Sequence, residues 1–476
     1  MKDKILKLLK NEKLMFFLIL FAGLVLRLYK IDSPILDWHS FRQADTASVS
    51  KYFFENGINF LDPRYHDISR VQSGIFNPNG YRLVEFPIFN AIHALVAHIF
   101  YSIPFDTVGR LVSVVFSLLT SIYIYKITAF YFGKDKGKLA MLVFLTLPFN
   151  IYFSRVVLPE PLAVFLGISA LWFFVKYSDD SSIRHLLFYC ILMSLAILVK
   201  PYLVFYNLFV LYYFWKKYGF RKLFYAKETF LISLIILLPF FLWRMWIAQH
   251  PEGIPFWKWT FNGDGVRFKP AFWYWMFGER IGKLILGVWG IYPFVLGILK
   301  SKKNSFVISL LLGAFLYISV IATANVRHDY YQTLIVPVIS IVLALGLWEL
   351  PNIFSGKVGK YAFPILISLL IVLISAFQVK EYYKVNHPEL ISAGKAVQKL
   401  TPKDALVIAS YNGDTAFLYQ TGRRGWPVVE LPINELIAEG ASYYASVNLN
   451  DTQTIEFMRK FTILEKTDTY VVLKLK

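Results

Sequence analysis

Cysteine is all but absent. Cys190 is the only one in 476 residues, and it sits in an apolar run. A disulfide framework and a Cys-based zinc site are therefore excluded. Charge is also scarce: 17% of residues are Asp, Glu, Lys or Arg, against about 25% in a soluble domain. What charge there is runs one way, with 50 Lys+Arg against 31 Asp+Glu and a net of +19. No Walker loop, GxGxxG, HExxH or GxSxG occurs, so nothing supports nucleotide use by a cytoplasmic catalytic domain. Repeats and low-complexity tracts are missing as well.

What is present is grease. Hydrophobic residues make up 57% of the chain, aromatics 18%, and the mean hydropathy is +0.50. This excludes a soluble enzyme and a disordered chain, and predicts a polytopic helical membrane protein. In that class the basic excess marks loops facing anionic lipid or binding phosphate, and no nucleic-acid partner is expected.

The first thirteen residues carry Lys2, Lys4, Lys7, Lys10 and Lys13, followed by an apolar run from Leu14 to Leu26 and then Arg27. No small-residue cleavage site follows, so this reads as an uncleaved first span with a cytoplasmic N-terminus. Further apolar segments fall near 87–104, 107–132, 138–152, 160–175, 184–199, 202–215, 229–248, 281–299, 304–322, 331–349 and 361–378. None alternates with period two, which argues against a β-barrel.

The segment 87–104, bracketed by Pro87 and Pro104 and containing His93 and His98, decides the topology. If it does not span, the connections 133–138, 176–185, 216–227, 300–303 and 351–360 are cytoplasmic and hold 15 Lys/Arg against 7 on the other side. The positive-inside bias favours that choice. The expectation is about eleven transmembrane helices, with 87–104 and Gln43–Asn56 as helices of a long outer loop, 30–106. Residues 1–379 form the membrane module. Residues 380–476 form a small extracytoplasmic α/β domain, with a strand at Ala405–Ser410, a helical turn at Asp414–Gln420 and a hairpin at Phe461–Lys474. The fold class is all-α polytopic membrane protein plus this small C-terminal domain.

Ionisable groups at a membrane boundary are costly and call for a reason. Asp37 lies in Leu36-Asp37-Trp38-His39-Ser40-Phe41-Arg42-Gln43-Ala44-Asp45. It reads either as a general base or hydroxyl-orienting charge, or as a loop carboxylate paired with Arg42. His39 and Arg42 are candidates to contact an anionic substrate, and Asp45 to cap a helix beginning near Thr46. Glu160 sits between Pro159 and Pro161. It is either a second acid facing Asp37, with a shared divalent cation left open, or the partner of Arg155. Glu85, in Val84-Glu85-Phe86-Pro87, opens the 87–104 helix, where a helix N-terminus alone would suit a carboxylate.

Arg110, Arg155, Lys200, Arg327 and His328, with Tyr330 and Tyr331 nearby, fall on the same side. Such a set suits a phosphate whose lipid tail lies in the bilayer, although snorkelling to headgroups explains any single member. Trp243, Trp246, Trp257, Trp259, Trp273 and Trp275 read as an interfacial belt or as sugar-stacking surfaces. His93 and His98, five apart, do not form an i,i+4 metal pair.

The order of these residues resembles the GT-C-type integral-membrane glycosyltransferases. The similarity is to their bacterial branch, related to protein O-mannosyltransferases, the lipid A aminoarabinose transferase and the lipopolysaccharide-core galacturonosyl transferases. It covers roughly residues 14–350. The Asp37 loop follows the first span, Glu85-Phe86-Pro87 opens a surface helix, and Arg110 starts the next span. Phe132-Gly133 closes that span, and Ser154-Arg155 precedes an acid in the second outer loop. The resemblance implies a polyprenyl-phosphate sugar donor, transfer on the outer face and inversion at the anomeric carbon. By that match Asp37 takes the place of the first-loop catalytic Asp, Glu160 that of the second-loop acid, and Glu85 that of the acid before the surface-helix proline. Phe86 with a single Pro87 departs from the family's basic residue and paired prolines, and Glu160 stands where Asp is common.

The expected function is therefore transfer of a sugar from a polyprenyl-phosphate donor to a glycolipid, glycan or protein acceptor of the cell envelope, in the inner membrane and among its lipids. Asp37, Glu160 and Glu85 are the catalytic candidates. His39, Arg42, Arg110, Arg155, Lys200, Arg327, His328 and Tyr330 are the substrate-binding candidates. A transporter or flippase would need midplane ionisable groups and often an internal repeat, and neither is found. A non-catalytic envelope assembly factor would keep the first- and second-loop acids apart.

Overall fold

The computed structural model describes residues 11–354 and 356–476. Lys2, Lys4, Lys7 and Lys10 of the basic leader lie outside the described residues. The chain divides into two compact units. Of the described residues, the first takes in those within 11–31, 111–242 and 257–382, and the second 32–110, 243–256 and 383–476.

The first unit is helical. Among the described residues five helices of the chain are long and apolar enough to cross a membrane: Phe105–Phe132, Glu160–Asp180, Lys227–Ile247, Asp329–Asn352 and Val358–Tyr383. Ile183–Val199, Ile291–Ser301 and Ser305–Val320 are shorter apolar helices. The Asp329–Asn352 segment is buried on nearly all sides, whereas Lys227–Ile247 and Val358–Tyr383 leave most of their surface open. A helix apolar all round can take either place, so the neighbours decide.

Small residues settle one such contact. A Cβ on Gly346 would lie 1.6 Å from the carbonyl oxygen of Pro293, and one on Gly297 would lie 1.9 Å from that of Val342. The Ile291–Ser301 and Val336–Glu349 helices thus meet backbone to backbone, a packing that glycine permits and any side chain blocks.

The helix that begins at Ile88 ends at Ile99. At 1.5 Å per residue its 12 residues reach about 18 Å, short of the roughly 30 Å of hydrocarbon.

The second unit combines the first long loop with the tail. The tail carries a five-stranded sheet in the order β2-β1-β3-β5-β4, with β1 Leu406–Ser410, β2 Arg424–Trp426, β3 Ala441–Ser446, β4 Thr462–Lys466 and β5 Val471–Lys474. β1 pairs in parallel with β2 and β3, and β5 runs antiparallel to β3 and β4. The interior strand β1 reads Leu-Val-Ile-Ala-Ser, the nearly continuous apolar run of a strand covered on both faces. The strand at 406–410, the helix at Thr415–Thr421 and the 462–474 hairpin follow the sequence expectation. β2 and β3 were not anticipated: β2 has three residues, and β3 reads Ala-Ser-Tyr-Tyr-Ala-Ser, with no clear alternation.

The first loop completes this sheet rather than lying apart from it. Ile68 N–H donates to Gly425 O at 2.9 Å and Gly425 N–H to His66 O at 3.0 Å. Ile68 also joins the buried cluster of Ile408, Trp426, Tyr444, Phe457 and Val471, where each such side chain contributes about 1.5–3 kcal/mol of burial. Arg70 clamps the tail further through Glu430 at 3.1 Å and Glu439 at 2.5 Å.

Candidate active site

Asp37 precedes the Ser40–Asn56 helix and is 3% exposed. Two donors converge on its Oδ1: Gln43 Nε2 at 2.7 Å and Arg110 Nη2 at 3.1 Å. Arg110 is fully buried in the second turn of the Phe105–Phe132 helix, and the same nitrogen donates to Pro34 O at 3.2 Å. Gln43 also donates to Trp38 O at 3.0 Å. His39 turns the chain between these points in the left-handed region, at φ 57°, where His is among the more tolerated residues. The carboxylate is thus fixed in direction by a cation from one helix and an amide from another.

These contacts bear on three expectations. Asp37 pairs with Arg110, while Arg42 forms its ion pair with Glu85. That pair also takes Glu85 away from the helix N-terminus, since the helix starts at Ile88 with no acid in its first turn. Nor does Asp45 cap a helix. The helix begins at Ser40, and Asp45 is buried in its second turn, bonded to Arg82 at 2.6 Å and to the Thr415 hydroxyl at 2.7 Å.

One glycine is needed nearby. A Cβ on Gly109 would lie 2.5 Å from the ring of His93, so the start of the Arg110 helix closes onto the Ile88–Ile99 helix only with glycine there. His93 is a packed residue that stacks on Phe105 at 4.2 Å and meets its carbonyl at 2.9 Å.

In the first unit, Glu160 and Lys200 form a second buried pair, with Oε1 and Nζ 2.7 Å apart and the side chains 2% and 6% exposed. Chain geometry explains it. Glu160–Asp180 and Ile183–Val199 are antiparallel helices joined at Ser181–Ser182. The first residue of one therefore meets the residue just past the end of the other. Glu160 sits at a helix N-terminus and Lys200 at a C-terminus, each suited to the helix dipole. Pro161 lacks an N–H that a first turn leaves unbonded anyway, and Pro201 holds Lys200 extended. The sequence left Glu160 either facing Asp37 or paired with Arg155, and the second alternative does not hold. Instead Arg155 is buried and donates to the carbonyls of Tyr29 and Lys30, both at 2.9 Å.

The remaining basic candidates lie in one stretch. Arg327 is exposed, with Asp264 at 3.6 Å and its guanidinium 5.5 Å from the Trp259 ring. His328 stacks on Tyr330 at 5.5 Å, and Tyr330 is buried. Between them Asp329, passed over in the sequence, is buried and bonded to Arg280 at 3.3 Å and to the Tyr382 hydroxyl. Gln43 was missed too. Its signal was position: the stretch Leu36–Asp45 holds several polar residues, and this uncharged one reaches back six places. Lys200 Nζ lies 5.9 Å from the Tyr331 ring.

Acids of the second unit outside the spans are perturbed by burial. Asp414 and Asp67 are each pushed up to about 6, in both cases chiefly by burial and in part by the nearby Asp45 charge. Burial, with Lys51 and Arg424 nearby, lowers His66 to about 3. Among the described residues no group of three or more His, Cys, Asp or Glu is placed to hold a metal ion.

Comparison with known proteins bears on the fold. Residues 85–246 match the family model of dolichyl-phosphate-mannose-protein mannosyltransferase. ArnT from Cupriavidus metallidurans bound to undecaprenyl phosphate is similar, with a TM-score of 0.64 at 13% identity, over 96% of this chain and 97% of that one. The Archaeoglobus fulgidus oligosaccharyltransferase in the apo form gives a TM-score of 0.62 at 12% identity, over 92% of this chain and 70% of that one. AglB from the same archaeon, in complex with an inhibitory peptide and a dolichol-phosphate, gives 0.56 at 10% identity, over 97% and 74%. No curated protein sequence matches the chain. The chain is a polytopic membrane protein with the GT-C glycosyltransferase fold. The resemblance read from the ordered loop residues holds for that fold.

Proposed function

We propose that this protein is a membrane glycosyltransferase that moves a sugar from a polyprenyl-phosphate donor to a hydroxyl of a cell-envelope glycolipid, glycan or protein. Transfer takes place on the extracytoplasmic face of the cytoplasmic membrane and inverts the anomeric centre. The observation that carries the reading is Asp37, a buried carboxylate aimed by Gln43 and Arg110. The GT-C fold and the lipid phosphates bound by two of its structural relatives support it.

In this mechanism Asp37 accepts the proton of the acceptor hydroxyl, or orients it, as the oxygen attacks the anomeric carbon in line with the departing phosphate. Cations neutralise the leaving group. Lys200 suits this role, because an ammonium has three N–H donors and can hold Glu160 and a phosphate oxygen together. Arg327 is the exposed member of the set. Arg110 acts on Asp37 rather than on the phosphate. Glu160 orients Lys200, and Glu85 orients Arg42, which with His39 contacts substrate. Arg155, His328 and Tyr330 shape the surrounding loops.

Asp37→Asn, tested in membranes with radiolabelled polyprenyl-phosphate sugars, is expected to lose transfer by about 100-fold or more. Transfer at the parental rate sinks the assignment.

A further inference from the structure

The tail helix Thr415–Thr421 meets both elements that hold Asp37. Thr415 Oγ1 donates to Asp45 Oδ1 at 2.7 Å and lies 3.3 Å from Phe41 O, on the Ser40–Asn56 helix that carries Gln43. Tyr419, one turn on, donates its hydroxyl to Asp106 Oδ1 at 2.5 Å. Asp106 is one turn before Arg110, on the same face of its helix. Gln420 Nε2 comes within 3.5 Å of Ile35 O, two residues before Asp37.

The two donors to Asp37 Oδ1 thus come from two helices, and each helix is tied by a hydroxyl to the same short tail helix. That helix is itself fixed. Asp414 caps its N-terminus through Ala416 N–H at 2.7 Å, and Ala416, Phe417 and Leu418 are fully buried.

We propose that Thr415 and Tyr419 are positioning residues for the Asp37–Arg110 pair, so that the C-terminal segment sets the geometry of the catalytic carboxylate. This rests on the reading of Asp37 given above. Losing either hydroxyl loosens the tie between its helix and the tail helix, and leaves the Gln43 and Arg110 helices held to each other mainly through the Ile88–Ile99 helix. A displacement near 1 Å at a reacting group is enough to cost about 100-fold in rate.

The test uses the full chain in lipid nanodiscs, with Tyr419→Phe, Thr415→Val, Thr415→Ser and, as a control elsewhere in the tail, Tyr470→Phe. Two quantities are read: hydrogen exchange of 35–43 and 105–110 without donor, and transfer kinetics with a radiolabelled undecaprenyl-phosphate sugar. Tyr419→Phe and Thr415→Val are expected to speed exchange in both segments and lower kcat about tenfold or more at unchanged donor KM. Thr415→Ser should restore both, and Tyr470→Phe should move neither. Unchanged exchange overturns the proposal, as does a loss of transfer that only tracks the amount of folded protein. If Asp37→Asn retains transfer, the catalytic reading fails on its own, while the exchange data still decide whether the tail holds the pair.

Discussion

Glu160 and Lys200 face each other at 2.7 Å across the ends of two antiparallel helices. Glu160 Oε2 is buried with no hydrogen-bond partner among the described residues. A buried carboxylate with one oxygen unsatisfied is held in place almost entirely by its cation.

Removing that cation is therefore expected to be worse than neutralising both groups. Lys200→Met strands the charge and should destabilise the protein by about 3–5 kcal/mol. Glu160→Gln/Lys200→Met should recover most of the loss. Thermal unfolding in one detergent across the double-mutant cycle checks this. Additive losses show that the pair is not coupled. If Lys200 has the proposed role toward the leaving phosphate, transfer should stay low in the double variant.

How much of this was legible beforehand differs by element. Long apolar runs and the short 88–99 helix followed from composition, charge bias and length. Asp37 and Glu160 stood out because carboxylates beside greasy or proline-bound positions have few bland reasons to exist. Their partners did not stand out. Arg110 lies 73 positions from Asp37 and Lys200 lies 40 from Glu160, and no local pattern encodes which cation a folded carboxylate meets. The tail's contacts were hidden for the same reason. The contacts from Thr415 and Tyr419 span more than 300 residues, so the segment 380–476 looked like a separate appendage.

Helix packing in the first unit should be intolerant at Gly346. A methyl there would sit 1.6 Å from Pro293 O, and the two backbones would have to part. Gly346→Ala is expected to cost more than about 3 kcal/mol and to leave little extractable folded protein. Ser340 lies on the same helix, and its buried hydroxyl has no hydrogen-bond partner among the described residues. Ser340→Ala should therefore be neutral or slightly stabilising. Size-exclusion profiles after detergent extraction separate these outcomes, and a monodisperse Gly346→Ala peak at parental yield contradicts the contact.

Topology is open to direct labelling, because Cys190 is buried and is the only cysteine. Lys134 is exposed beside Glu12 at 3.1 Å. In a Cys190→Ala background, Lys134→Cys in intact cells should resist a membrane-impermeant maleimide and react after permeabilisation. Lys403→Cys, exposed in the tail, should react before it. Labelling of position 134 in intact cells would reverse the orientation and move the proposed chemistry to the cytoplasmic face.

The buried acid at the head of the tail helix gives a pH signature whose sign is fixed. Asp414 is raised to about 6, so between roughly pH 4 and 6 the folded state binds more protons than the unfolded one, and stability falls as pH rises through that window. Above it the fold carries a buried carboxylate that would be better solvated unfolded. Asn caps a helix as well as Asp does, so Asp414→Asn keeps the bond to Ala416 N–H and removes the charge. The variant should exceed the parent by about 1–3 kcal/mol at pH 7.5, and the difference should shrink to about half a kcal/mol near pH 4, where the folded Asp414 is protonated and the unfolded one is roughly half ionised. His66, lowered to about 3, acts in the opposite sense in both proteins and cancels from the comparison. Thermal unfolding of parent and variant at pH 4, 5, 6 and 7.5 reads the difference directly. A gap that widens toward pH 4 means that the Asp414 carboxylate is stabilised in the fold, and that its charge, not only its cap, helps anchor the helix carrying Thr415 and Tyr419.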